Sequence, residues 1–167
     1  LVYSSNLKSG DIVVEAGGGS GALTTALGQT IFPYGKVITF EKNSKHIEII
    51  KKNLNMSPYS ELIELRSEEL NDDTKPIVCN SIILDLPEPQ KIINWAVKSL
   101  ELGGKILCYV PTINQVEKLL VSLDKWSQIE ISESMHRTWQ SRLSAIRPDT
   151  NLIGHTGFIV SARLLNK

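Results

Sequence analysis

Five short apolar runs dominate the first two thirds of this chain: DIVVEA (11–16), KVITFE (36–41), ELIELR (61–66), SIILDL (81–86) and KILCYV (105–110). Stretches of helical spacing lie between most of them. Residues 21–30 follow a glycine turn. Residues 44–55 place Ile47, Ile50 and Leu54 on one face, and 90–101 place Ile92, Trp95, Ala96, Ser99 and Leu100. Residues 113–125 carry Val116, Leu119, Leu120 and Leu123. Ser44 and Asn114 stand where an N-cap or first-turn residue belongs. Strands this apolar must be covered on both faces. Their alternation with helices predicts an α/β fold with a parallel sheet between two helical layers. Trp95 and Trp126 fall on apolar faces and are expected in the core.

After residue 126 the pattern changes. QIEISES (128–134) alternates, and GFIVSARLL (157–165) reads as a last strand. The 22 residues between them, 135–156, are polar and show no helical repeat. A loop this long in a compact domain is usually functional.

The 167 residues carry 18 basic and 18 acidic side chains, with 41% apolar residues. These are the values of one soluble globular domain, 1–167, and they exclude a disordered tail, a collagen-like rod and a coiled coil. No stretch approaches the ~20 apolar residues of a membrane span. LVYSSNLKSGD has neither the basic nor the apolar region of a secretory signal. Two cysteines, Cys79 and Cys108, are too few for a disulfide framework, and reduced thiols fit a cytoplasmic location. Zero net charge argues against non-specific nucleic-acid binding by the whole surface. The charge is uneven, however: residues 1–124 sum to −3 and residues 125–167 to +3. A polyanion site is therefore expected in the C-terminal quarter.

The first strand runs into Glu15-Ala16-Gly17-Gly18-Gly19-Ser20-Gly21-Ala22-Leu23. Such a turn lets backbone approach a ligand, and the helix that follows aims free N–H groups at it. Two cofactor classes use this device. Gly17 to Ala22 satisfies the dinucleotide fingerprint, with Glu41 about 20 residues on to grip ribose hydroxyls, so NAD is open on the glycines alone. The same residues read as ExGxGxG. There Glu15 suits the cationic amino group of S-adenosylmethionine, directly or through water, and would repel a pyrophosphate. His46, near the start of the next helix, is a candidate cover for the adenosine. Glu69, with Glu68 as second choice, is a candidate acceptor for the adenine amino group.

Strand four ends in Asp85-Leu86-Pro87-Glu88-Pro89. In doubly wound sheets the ligand sits beyond the strands' carboxyl ends, where strand order reverses. Strands one and four flank that point, which aims Asp85 at the reactive end of a bound cofactor. Pro87 and Pro89 remove N–H donors and stiffen the loop.

EAGGGSGALT (15–24), ITFEKNSKHIEI (38–49), LDLPEP (84–89), YVPTINQVEKL (109–119), HRTWQ (136–140) and RPDTNLIGHTGFIVSARLL (147–165) together resemble the tRNA (adenine-N1)-methyltransferases. These enzymes modify adenine 58 in the T-loop of tRNA. The resemblance covers essentially the whole chain. It implies the class I S-adenosylmethionine-dependent methyltransferase fold, Rossmann-like, with a seven-stranded, mostly parallel sheet whose last strand is antiparallel. It also implies S-adenosylmethionine as cofactor, tRNA as partner, no metal, and a homo-oligomer, a tetramer in the family. Asp85 would hydrogen-bond the N6 amine of a flipped-out adenine. Gly17, Gly19, Ser20, Gly21, Ala22, Leu23, Glu15, Glu41, His46, Glu69 and Asp85 would surround the cofactor. Pro87, Tyr109, Arg137, Trp139, Arg147 and His155 are the candidates for RNA contact, with Arg142 beside them. Trp139 has a rival role as a core anchor of its loop, and His155 as a fixture of the turn into the last strand.

The chain departs from the family in three places. The family usually has Asp where this chain has Glu69, and often Trp where it has Gln90. Family members carry an N-terminal β-rich domain, and Leu1 falls close to where their catalytic domain begins. A catalytic domain without that front domain is therefore expected. Three rival readings are another class I methyltransferase, an NAD-dependent oxidoreductase and a non-catalytic RNA-binding subunit.

Overall fold

The computed structural model describes residues 1–151 and 153–166. Leu152, within the RPDTNLIGHTGF motif, lies outside the described residues. The chain opens with a helical turn, α1 (Val2–Ser5), followed by β1 (Ile12–Ala16), α2 (Ala22–Ile31), β2 (Lys36–Phe40), α3 (Ser44–Asn55) and β3 (Ile63–Arg66). β4 (Cys79–Leu84), α4 (Ile93–Ser99), β5 (Leu100–Val110), α5 (Ile113–Ser122) and β6 (Ser127–Glu133) come next. Two short strands, β7 (Trp139–Gln140) and β8 (Arg147–Pro148), precede β9 (Phe158–Arg163).

The main sheet has seven strands in the order β3-β2-β1-β4-β5-β9-β6. β1 to β5 pair in parallel. β9 enters between β5 and β6 and runs antiparallel to both. Strand order reverses between β1 and β4, as the sequence predicts. Period-two alternation divides the core between two faces. Val14, Ile82, Ile106 and Cys108 join Trp95, Val116, Leu119 and Trp126 on the face covered by α4 and α5. Val13, Ile83 and Leu107 face the other way, onto Leu27 and Ile31 of α2. Trp95 is fully buried and Trp126 nearly so. Both thiols are buried, and burial pushes the Cys108 thiol far up, which makes it inert.

Several boundaries differ from expectation for identifiable reasons. The helix expected over 90–101 is split. Pro89 starts a 3-10 turn through Ile92, α4 proper follows, and β5 begins already at Leu100. The five residues expected on its buried face are all buried nonetheless. Asn43 caps α3, accepting from Lys45 N at 3.0 Å, which leaves Ser44 in the first turn, one of its two expected places. Thr112 caps α5 in a reciprocal capping box with Gln115, which leaves Asn114 in the first turn. Loop 135–156 contains the β7–β8 hairpin, where Trp139 pairs with Pro148. Trp139 is 60% exposed, so it does not anchor the loop in the core.

Trp95→Ala should cost about 3–5 kcal/mol of unfolding free energy, because the surrounding sheet cannot collapse into the space. Val121→Ala, on the exposed side of α5, should change it by less than about 0.5 kcal/mol. Urea denaturation of the two variants checks both.

Candidate functional site

A cavity of about 660 Å³ opens at the carboxyl ends of β1, β2, β3 and β4. Its floor is Ala16, Gly17 and Gly19 from the turn after β1. One wall is Glu41 to Asn43 and His46, after β2, with Glu68 to Asp72 after β3. The opposite wall is Asp85 to Glu88, with Lys91 and Ile92. A smaller polar cleft of about 250 Å³ lies at the strands' other ends. There Asp11, Asn80, Lys105 and Arg163 are engaged with the backbone of Lys8, Ile12, Ser4 and Gly103, as befits structural ties.

The glycines of the turn serve different ends. Gly17 has φ +93°, and a Cβ there would stand 2.2 Å from the Asp85 carbonyl oxygen. At Gly18 a Cβ would meet Thr39 Oγ1 at 2.8 Å, and at Gly21 it would meet Ile50 of α3 at 2.8 Å. Gly19 alone faces open space into the cavity, its nearest neighbour being Gly17 O at 3.8 Å. Three glycines therefore serve packing, and one leaves room for a ligand.

Glu41 is buried, and its carboxylate clamps this turn. One oxygen accepts from Gly19 N at 2.9 Å and the other from Asn43 N at 2.8 Å, with His46 Nδ1 at 3.5 Å. Burial pushes its pKa up, but the Asn43 and Gly19 N–H groups and His46 outweigh burial and hold it below the usual value. Glu69 lines the cavity and accepts from Lys42 Nζ at 2.6 Å. Glu68 lines it too. Asp85 lines the cavity, its own N–H bound to Ala16 O at 2.9 Å, and partial desolvation raises its pKa.

Glu15 sits apart from that lining. It is 1% exposed beneath the turn, where Thr24 of α2 donates to its carboxyl at 2.5 Å. Desolvation pushes its pKa up to about 7, against the lowering effect of the Thr24 and Thr39 hydroxyls. Ser20, Gly21, Ala22 and Leu23 likewise lie outside the cavity lining.

Tyr109 and His155 also stand outside the lining, at the base of loop 135–156. The Tyr109 hydroxyl donates to Thr156 O at 2.7 Å, and its ring lies over Gly157, where a Cβ would be 2.5 Å from it. Arg147 Nε donates to Gln140 at 3.2 Å across the β7–β8 hairpin. Arg137 and Arg142 are exposed on the same loop. Pro87 lines the cavity, and its carbonyl accepts from Gln115 Nε2 at 3.0 Å. Sequence reasoning missed Lys42, Asn43, Asn71, Asp72, Glu88 and Lys91 as lining residues. Lys42 and Asn43 closely follow the end of β2, which was the available signal; Asn71, Asp72, Glu88 and Lys91 lie further along the loops after β3 and β4. Gln115 gave none, because its second bond is long-range.

Two tests follow from this geometry. Gly17→Ala should lower cofactor affinity more than about tenfold, since its methyl group displaces the Asp85 backbone; calorimetric titration reads this. Glu15 keeps its proton longer when folded than the ordinary value of 4.5 allows. The ligand-free chain therefore loses stability as pH rises from about 4.5 to about 7, by an amount on the order of 3 kcal/mol. Glu15→Gln should remove most of that loss, as urea denaturation at about pH 5 and about pH 8 would report.

A family model described as the tRNA methyltransferase complex GCD14 subunit matches residues 1–151. The tRNA (adenine(57)-N(1)/adenine(58)-N(1))-methyltransferase TrmI of Methanocaldococcus jannaschii is 31% identical, over 98% of this chain and 68% of its own length. The catalytic subunit trmt61a of Dictyostelium discoideum is 26% identical over 86% of this chain. This chain spans about two thirds of the first relative and about half, 48%, of the second. Among solved structures, the tRNA (m1A58) methyltransferase TrmI from Aquifex aeolicus superposes with a TM-score of 0.87 at 27% identity, over 99% of this chain and 66% of that one. An S-adenosylmethionine-dependent O-methyltransferase from Thermotoga maritima gives 0.92 at 25% identity, over 99% and 63%. On the family match over residues 1–151, seated on the fold and glycine turn described above, the chain belongs to the tRNA methyltransferase family of the GCD14 type.

Proposed function

We propose that this chain is the catalytic domain of a tRNA (adenine(58)-N1)-methyltransferase that uses S-adenosylmethionine. The observation that carries the cofactor class is the charge of the cavity. Glu41, Glu68, Glu69, Asp72, Asp85 and Glu88 line it against two lysines, each paired with one of them. Such a wall repels a pyrophosphate and attracts a sulfonium, which disfavours NAD. The open face of Gly19 and the clamped Glu41 beside it fit an adenosyl group.

When bound, S-adenosylmethionine supplies an electrophilic methyl group on a cationic sulfur. The adenine N1 lone pair is the nucleophile, so no side chain needs activation, and the family resemblance implies no metal. Asp85 accepts a hydrogen bond from the N6 amine, which turns N1 toward the cofactor's reactive end. Methylation leaves the base cationic, and the same carboxylate stabilises that developing charge in a partly desolvated site. Alignment by Asp85 and the stiffened Pro87 loop supplies most of the rate. Glu69 would accept from the cofactor's adenine amine, with Lys42 fixing its carboxylate. Arg137, Arg142 and Arg147 hold phosphate, and the exposed Trp139 stacks on a splayed base. The reading extends to a cytoplasmic location and to a homo-oligomer, for which the edge strand β6 offers exposed Ile129 and Ile131.

Asp85→Asn should lower kcat on tRNA at least about 100-fold while changing the cofactor dissociation constant less than about threefold. In the parent chain kcat should climb with pH as Asp85 ionises, and this acid limb should lie above the ordinary carboxylate range. Radiolabelled methyl transfer across pH, with calorimetry of both proteins, tests this. Near-normal turnover by Asp85→Asn would remove the assignment.

A further inference from the structure

Both ring nitrogens of His155 face acceptors. Nδ1 meets the Glu133 carboxylate at the end of β6, and Nε2 lies 2.7 Å from the Pro111 carbonyl oxygen just past β5. A neutral imidazole carries one N–H and can satisfy one of these; only the imidazolium donates to both. The ring also packs on Phe158 at the start of β9, with centroids 4.8 Å apart. Three strand ends thus meet on one side chain, where loop 134–157 leaves and rejoins the sheet.

The contact continues toward the cavity. Pro111 precedes Thr112, whose side chain caps α5 and whose N–H donates to Gln115 Oε1 at 3.2 Å. Gln115 Nε2 donates to the Pro87 carbonyl at 3.0 Å, two residues beyond Asp85. We propose that His155 is held as an imidazolium and acts as a positioning residue for Asp85, through Pro111, the α5 cap and Gln115. Its effect on turnover rests on the methyltransferase reading; its protonation does not.

Among the described residues, the groups facing the ring are few. β6 presents Glu133, the β5–α5 connector presents the Pro111 carbonyl, and β9 presents the uncharged Phe158. Tyr109 of β5 directs its hydroxyl to Thr156 O instead. The Pro111 carbonyl and then the Glu133 carboxylate raise the His155 pKa. The clasp is therefore whole below the ordinary histidine value and is released as pH rises through the elevated one.

Side-chain 15N NMR of the full chain, labelled at histidine, tests the protonation state from about pH 5.5 to about pH 9. His46→Gln and His136→Gln identify the other two rings. The expected result is a His155 ring doubly protonated at neutral pH, whose proton affinity Glu133→Gln lowers at least about threefold. A neutral, single-tautomer ring at neutral pH, or an affinity indifferent to Glu133→Gln, overturns the proposal. Kinetics test the positioning. His155→Gln and Gln115→Leu should each lower kcat on tRNA about tenfold, with cofactor Kd changed less than about twofold. The parent kcat should fall on the alkaline side at the pKa seen by NMR, and His155→Gln should lose that limb. An unchanged kcat, or an alkaline limb that survives in His155→Gln, overturns the positioning role. Should the parent chain transfer no methyl to tRNA, the functional reading fails, and the NMR titration alone decides the imidazolium.

Discussion

The site is built on one backbone-to-backbone approach. Gly17 lies so close to the Asp85 carbonyl that no side chain fits between them, and Asp85 N–H is tied to Ala16 O. These contacts join the glycine turn to the loop that carries Asp85. They exist because β1 and β4 are neighbours at the point where strand order reverses, each leaving the sheet with its carboxyl end upward. Glu41 adds a second constraint by clamping Gly19 and Asn43, so the turn is held from both neighbouring strands.

Most of the fold was legible in the sequence because its signals are local. Apolar runs marked the five parallel strands, and helical spacing found α3 at its observed bounds. The adjacency of β1 and β4 was readable once the glycine turn and Asp85 were taken as the two sides of a switch point. Boundaries were missed where a single residue overrode periodicity, as Pro89 does ahead of α4. The site was legible in part. Gly17, Gly19, Glu41, His46, Glu69, Asp85 and Pro87 converge on one cavity. Glu15 was marked by its spacing alone; the fold buries it beneath the turn, against Thr24 and outside the cavity lining.

The two acids of this region illustrate how environment separates like residues. Glu41 receives two backbone N–H groups and stays readily ionised, whereas Glu15 is enclosed with two hydroxyls and holds its proton toward neutrality. Both lie within the same turn-and-strand unit. Their difference follows from what each carboxyl touches and not from residue type.

The last strand does not add to the sheet's edge; it is inserted between β5 and β6. The loop before it is therefore a closed excursion, leaving from one strand and returning through its immediate neighbour. Residues can be added to or removed from such an excursion without shifting any strand register or the floor of the cavity. A lineage built on this plan can refit its grip on a large substrate while the methyl-transfer chemistry stays fixed. Similar folds can thereby serve different acceptors with little change to their centre.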